Sequence, residues 1–252
     1  MTSTLIKTSQ EIKKMRIAGK LTSEVLNMIE PFLIPGISTG EIDRICHNFI
    51  IKQQKAIPAC LGYNGFPNSI CTSINDVVCH GIPSYTEYLK EGDIINIDVA
   101  VIKNGYHGDA SKMFIIGNTT KQLKKLCRIA ENSLSLALEK IKPGVYSSII
   151  GKTIQKYVES NKFSVVRNYC GHGIGKMFHE KPEILHFYNK KIKGIKIKKN
   201  MTFTVEPMIN IGSHNVQCMQ DGWTVKTIDH SYSAQYEHTV LVTEYGCEIL
   251  TL

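Results

Sequence analysis

Two aspartates, Asp98 and Asp109, stand eleven residues apart within Ile95 to Phe114, a stretch whose Ile, Val, Met and Phe otherwise describe buried strand. A carboxylate in such company is costly unless it is paired, hydrogen-bonded or bound to a cation. Between them lies Asn104-Gly105, the dipeptide favoured by a two-residue type I′ hairpin turn, in which both central residues take positive φ. With the turn there, Lys103 faces Tyr106, Ile102 faces His107, Ala100 faces Asp109 and Asp98 faces Ser111. Side chains alternate along a strand, so both aspartates point to one face as diagonal neighbours, about 7–8 Å apart at the backbone. Two carboxylates aimed into one space repel each other, and a cation between them or a proton on one of them relieves the repulsion. A one-residue slip of the turn, or an edge hairpin with both aspartates solvated, is the alternative.

A chain of 252 residues, 42% hydrophobic and 21% charged, is long enough to bury such a hairpin in a sizeable core. No apolar run approaches the roughly 20 residues of a membrane-spanning helix. The opening residues, Met1 to Gln10, lack the basic patch, apolar stretch and cleavage site of a signal peptide, so a cytoplasmic protein is expected. The eight cysteines are scattered without a Cys-x-x-Cys pair and read as reduced, mostly buried thiols. A net charge of +8 and a pI of about 9.0 permit attraction to nucleic acid or a ribosome surface without showing it. The six lysines between Lys190 and Lys199 lack interleaved aromatics and read first as a solvated strand or loop.

Thr8-Ser-Gln-Glu11 and Ser38-Thr-Gly-Glu41 have the spacing of capping boxes. Ile12, Met15, Leu21, Val25, Leu26 and Ile29 continue the first helix toward Ile34-Pro35-Gly36, and Ile42, Ile45, Cys46, Phe49 and Ile50 mark the inner side of the second. Short strands and turns are expected from Asn68 to Phe114. A third helix carries Leu123, Leu126, Ala130, Leu134, Ala137 and Ile141 to Lys142-Pro143-Gly144, and a fourth spans Ser148 to Val158. Pro35-Gly36 and Pro143-Gly144 stand 108 residues apart in similar settings, which suggests a diverged duplication, although helix, Pro-Gly, helix is also common punctuation. Thr202 to Ile211, Trp223 to Ile228, Tyr236 to Val242 and Cys247 to Leu250 read as strands. No Pro-, Ser- or charge-rich linker separates independent domains.

The second half offers partners for the two aspartates. Glu206 ends the apolar run Met201 to Val205, Glu237 precedes a β-branched run, and His172 sits between glycines that allow close backbone approach. One imidazole and four carboxylates would suit two bridged divalent ions of the Mn, Fe, Co or Zn kind. Such a pair can activate a water and clamp a substrate oxygen during hydrolysis. Competing motifs fail. Gly171-His-Gly-Ile-Gly-Lys176 lacks the last glycine of a dinucleotide fingerprint, and His179-Glu-Lys-Pro-Glu183 lacks the second histidine of a zinc-protease helix, which Pro182 would break. No phosphate-binding loop or nucleophile elbow is present.

Asn96-Ile-Asp98, His107-Gly-Asp109, Gly171-His172-Gly-Ile-Gly175, Phe178-His179-Glu-x-Pro182, Thr204-Val-Glu206-Pro207 and Gln235-Tyr-Glu237-His238 closely resemble the type I methionine aminopeptidases of bacteria, and the resemblance runs from the first helix to Leu252. It implies an α+β class, the duplicated pita-bread (creatinase/aminopeptidase) fold, with a central antiparallel sheet covered by helices. It also implies one catalytic domain over residues 1–252, made of two pseudo-symmetric halves of about 1–115 and 116–252. Asp98, Asp109, His172, Glu206 and Glu237 match the ligands of two divalent ions, with Asp109 and Glu237 bridging both and Asp98 beside the substrate amine. His80, His179 and Glu206 match catalytic positions, His179 contacting the scissile peptide and Glu206 shuttling a proton. Cys60, Tyr63, Phe66, Cys71, Phe178 and Trp223 match the pocket for the methionine side chain, where sulfur and aromatic faces suit a thioether. Asn75, Val77 and Ser233 match a monovalent-cation site found in some members.

Three positions depart from the family. Phe66 stands where many members have Tyr, and Lys198-Lys-Asn-Met201 replaces Lys-Pro-Gly-Met, although Asn200 tolerates the left-handed conformation a turn requires. The expected activity is removal of N-terminal methionine from nascent proteins and peptides when the second residue is small, by a monomer with no specific DNA or membrane partner. The chain's own start, Met1-Thr2, fits that preference. A proline-specific aminopeptidase of the same fold and a non-enzymatic ribosome-associated relative are the rival readings. The first usually carries an additional N-terminal domain and the second usually loses ligands.

Overall fold

The computed structural model describes residues 5–252, so the Met1-Thr2 start lies outside the described residues. Helix α1, Ser9–Ile29, opens with a reciprocal capping box between Thr8 and Glu11 and buries Ile12, Met15, Val25, Leu26 and Ile29. It stops before Pro35, giving way to a 3-10 turn over Glu30–Phe32. Helix α2, Thr39–Asn48, forms only half of its expected box. The Ser38 hydroxyl accepts from the Glu41 amide, but the Glu41 carboxylate is held by Arg44 one turn on. Helix α3, Lys121–Leu138, ends before Lys142-Pro143, and helix α4 spans Ser148–Ser160.

Among the described residues the central sheet has nine strands. Reading across it, Ile57–Pro58, Ile94–Lys103, Tyr106–Ile115, Glu237–Val242, Thr202–Val205, Gly171–Gly173 and Glu180–Ile184 lie side by side, all antiparallel. Cys71–Ile74 adds to Ile94–Lys103, and Cys247–Ile249 adds to Glu237–Val242. Alternation divides the hairpin strands between two environments. Ile95, Ile97, Val99, Val101, Ala110 and Phe114 join a core with Val25, Leu26, Ile29, Ile42, Cys46 and Ile50 from α1 and α2. In the second half Phe203, Val205, Val240 and Val242 pack with Leu126, Leu134, Ile150 and Ile154 from α3 and α4. The opposite face carries Asp98, Ala100 and Asp109.

The hairpin register agrees with the turn argument at every pair: Lys103 with Tyr106, Ile102 with His107, Ala100 with Asp109 and Asp98 with Ser111. Asn104 and Gly105 both have positive φ, 54° and 76°. The Pro-Gly match extends into a repeated hydrogen-bond pattern. Gly36 donates to the Leu89 carbonyl as Gly144 does to Ile197, Leu89 donates to Ile37 as Ile197 does to Val145, and Thr39 donates to Glu87 as Ser147 does to Ile195. Every member moves by the same 108 residues, and that shift also carries Asp98 onto Glu206. Register places Ser111, rather than Asp109, at the position equivalent to Glu237, because Ser111 pairs Asp98 and Glu237 follows Glu206 in the matching ladder. Among the described residues, no helix is long and apolar enough to cross a membrane.

Candidate metal centre and side-chain pocket

The five candidate ligands come from five neighbouring strands in spatial order. Asp98 lies on Ile94–Lys103, Asp109 on Tyr106–Ile115, Glu237 at the start of Glu237–Val242, Glu206 just beyond Thr202–Val205, and His172 in the middle of Gly171–Gly173. All five line one cavity of about 110 Å³. Ligand-capable atoms of Asp109, His172 and Glu237 lie within 4.8 Å of one another, and all three residues are buried.

His172 Nδ1 lies 3.0 Å from the Gly173 carbonyl, the contact of an N–H donor, which turns Nε2 toward Asp109 Oδ2 at 3.5 Å and Glu206 Oε1 at 3.7 Å. Those gaps are long for good hydrogen bonds. Among the described residues, buried Glu237 Oε1 has no hydrogen-bond partner. Burial first, then the charges of Asp109 and Glu206, pushes both Asp98 and Glu237 well above the usual carboxylate range. Burial also raises Glu206, to about 7, although His172 and a 2.7 Å hydrogen bond from Thr204 oppose it. Burial works against charge on His172, yet the neighbouring Asp109 and Glu206 outweigh it and raise its pKa. Among the described residues no Lys or Arg side chain forms an ion pair with these four acids. An orphaned carboxylate oxygen, an imidazole nitrogen held by its partner and unneutralised acids fit divalent cations.

The sequence-derived pocket residues gather beside these acids. Cys60, Phe66, Cys71 and Phe178 form one buried cluster with Ala59 and Ala100, and Tyr63 and Trp223 pack against it. Phe66 meets Trp223 edge-on at 5.1 Å and Tyr63 meets Phe178 edge-on at 5.0 Å. His179 sits at the mouth, its Nδ1 2.7 Å from the Tyr63 hydroxyl. Desolvation and then the charge of His172 hold it down to about 4. His80, at a φ of 56°, is edge-on to Tyr169 and Trp223. Asn75 and Ser233 are neighbours, the Ser233 amide donating to the Asn75 carbonyl at 2.8 Å, while Val77 is held in a ladder with Lys226. Asn200 has a φ of 66°, the left-handed conformation foreseen for it.

Several supporting residues escaped the sequence reading. The Thr204 hydroxyl accepts from the His172 amide and donates to Glu206, while the Thr239 hydroxyl accepts from the Asp109 amide and donates to its carbonyl. Thr204 stands two residues before Glu206, so period-2 alternation was the available signal. His107 stacks on Phe178 at 5.4 Å, and it too is two residues from a ligand. His186 Nε2 accepts from the Glu206 amide at 3.1 Å, and no local pattern announces it.

The sequence matches the profile of metallopeptidase family M24 over residues 13–244. It is 64% identical over 249 residues to a methionine aminopeptidase of Buchnera aphidicola subsp. Acyrthosiphon pisum (strain APS), covering 99% of this chain and 94% of the relative. It is 59% identical to the methionine aminopeptidase of Escherichia coli (strain K12), covering 98% and 93%. The fold superposes on a methionine aminopeptidase from Rickettsia prowazekii with a TM-score of 0.95 and 48% identity, covering 98% and 99% of the two chains. A prolidase from Pyrococcus furiosus shares the fold at a TM-score of 0.76 and 20% identity, and this chain covers 66% of it.

Proposed function

The chain belongs to metallopeptidase family M24, and from that premise we propose that it is a metal-dependent aminopeptidase that removes the N-terminal methionine of polypeptides. Its fold is the duplicated pita-bread arrangement, read here as one catalytic domain over residues 1–252 with halves of about 1–115 and 116–252. The observation that carries the activity is the meeting of five candidate ligands with a thiol- and aromatic-walled pocket in one cavity. A linear thioether fills such a pocket favourably.

In this reading Asp98, Asp109, His172, Glu206 and Glu237 hold two divalent ions. When bound, these supply an activated water and polarise the scissile carbonyl. The protein's own groups do the rest. Cys60, Cys71, Phe66 and Trp223 seat the methionine side chain, and Asp98 faces the substrate ammonium. His179, neutral at physiological pH, donates to the scissile peptide, while its ring carbon face and Tyr63 limit water at the mouth. Glu206 carries a proton to the departing amine. A small second residue is preferred, nascent chains in the cytoplasm are the substrates, and Asn75, Val77 and Ser233 are the place for a monovalent cation.

Side-by-side hydrolysis of Met-Ala-Ser and Xaa-Pro peptides tests the reaction. Release of methionine at the higher kcat/KM is expected, and preference for Xaa-Pro would replace this reading with a proline-specific one. Retention of all five candidate ligands favours an enzyme over a non-catalytic ribosome-associated protein. Absence of turnover in metal-loaded protein would reverse that choice.

A further inference from the structure

The segment that presents Phe178 and His179 is held from behind by an ion pair remote in sequence. Lys7 Nζ lies 2.6 Å from Glu180 Oε2, and the two side chains, 173 residues apart, are only 4% and 5% exposed. The Lys7 amide donates to the Asn200 carbonyl at 2.8 Å, which anchors the N-terminal segment beneath the turn. The other Glu180 oxygen accepts from the Met177 amide at 3.1 Å, so one carboxylate closes the turn and fastens it to Lys7. Residue 175 leaves the room: a Cβ on Gly175 would lie 2.7 Å from Lys7 Cε and Nζ.

A buried ion pair contributes little net stability relative to an apolar pair of similar volume, because desolvation offsets the attraction. What it does supply is a fixed geometry, and Glu180 is the residue bonded directly to His179. Lys176 and Met177 are exposed, so little packing holds the front of the turn. The turn is also held by the Gly175 amide on the Met177 carbonyl at 3.1 Å, by Phe178 in its buried cluster and stacked on His107, and by the Tyr63 hydroxyl at His179 Nδ1, while Lys7 and Glu180 fix it from behind. We propose that Lys7 is a positioning residue for His179, acting through its buried ion pair with Glu180. The inference rests on the proposed reaction, in which His179 meets the scissile peptide.

The test uses metal-loaded full-length protein and Met-Ala-Ser at a temperature well below unfolding. Lys7→Met should lower kcat roughly tenfold or more, as expected for a displaced catalytic group, with KM within about twofold. Glu180→Gln keeps the acceptor for the Met177 amide and should lower kcat similarly. In the double variant, with no uncompensated buried charge, Tm should recover while kcat stays low; a purely structural pair would restore both together. In a His179→Ala background, Lys7→Met should cause no further loss. Parental kcat in Lys7→Met, or an equal loss in the His179→Ala background, overturns the positioning role while leaving the proposed reaction intact. A parent protein that releases no methionine overturns both.

Discussion

At the scale of single residues, burial near opposed or like charges decides what each titratable group can do. Burial, with the charge of Asp109, lifts the Glu206 carboxyl to about 7 against the opposing pull of His172 and of the Thr204 hydrogen bond. Glu206→Gln preserves the shape and removes the proton carrier, so turnover should fall by at least about 100-fold while the circular-dichroism spectrum is retained. Turnover within tenfold of the parent would take Glu206 out of proton transfer. His186 gives a pH prediction with a definite sign. Burial and then the charge of His172 depress it to about 3, so below pH 6.5 the unfolded chain binds a proton that the native state refuses. The stability associated with the neutral ring is therefore present above 6.5 and is lost as pH falls, at up to about 1.4 kcal/mol per pH unit. Glutamine still accepts from the Glu206 amide but does not titrate. Thermal melts of parent and His186→Gln should accordingly show the parent's Tm falling relative to the variant's between pH 7 and 5. A constant or widening difference in the parent's favour would show that His186 titrates normally in the fold.

At the scale of elements, the Asp98–Asp109 hairpin holds two glycines with different physical requirements. Gly105 needs its positive φ of 76° and has open space where a Cβ would go. Gly105→Ala should cost about 1–2 kcal/mol, the strain of a left-handed alanine, and leave turnover nearly unchanged. At Gly108 the obstacle is packing: a Cβ would lie 2.6 Å from the Ala18 carbonyl carbon and the Gly19 amide nitrogen in α1. Gly108→Ala must push α1 off the strand that carries Asp109, so it should destabilise more than Gly105→Ala in urea unfolding and also lower activity. The reverse ranking would show that α1 yields at no cost. The hairpin was legible in sequence because Asn104-Gly105 sets register and alternation then assigns faces. Helix ends were less legible. Pro35 and Pro143 bound where α1 and α3 can stop, whereas the actual stops at Ile29 and Leu138 precede them. The Ser38 box failed on one side because Arg44, a local competitor, captures the Glu41 carboxylate.

At the scale of the whole molecule, the cavity acids repel one another until cations enter. Dialysis against a chelator should abolish methionine release and lower Tm, and added Mn, Co, Fe or Zn should restore both, with Tm rising as the logarithm of free metal. Calorimetry and activity reconstitution measure this, and full activity in verified metal-free protein would refute the dinuclear reading. The repeat of 108 residues explains how two sides of the cavity are built: the same Pro-Gly turn and hydrogen-bond pattern recur, placing Asp98 and Glu206 at equivalent positions on either side of the Asp109 and Glu237 strands. By itself the sequence determined the hairpin, its register and the shared face of Asp98 and Asp109, because turn chemistry and strand period act over a few residues. It also identified the candidate ligands and pocket residues, through motifs confined to short segments. Only the tertiary structure decided the order of the five strands, the acceptance of the Glu206 amide by His186, and the burial of Lys7 against Glu180. Those contacts join segments from 20 to 173 residues apart, and their energies depend on a low-dielectric interior that exists only once the sheet and helices have closed around it.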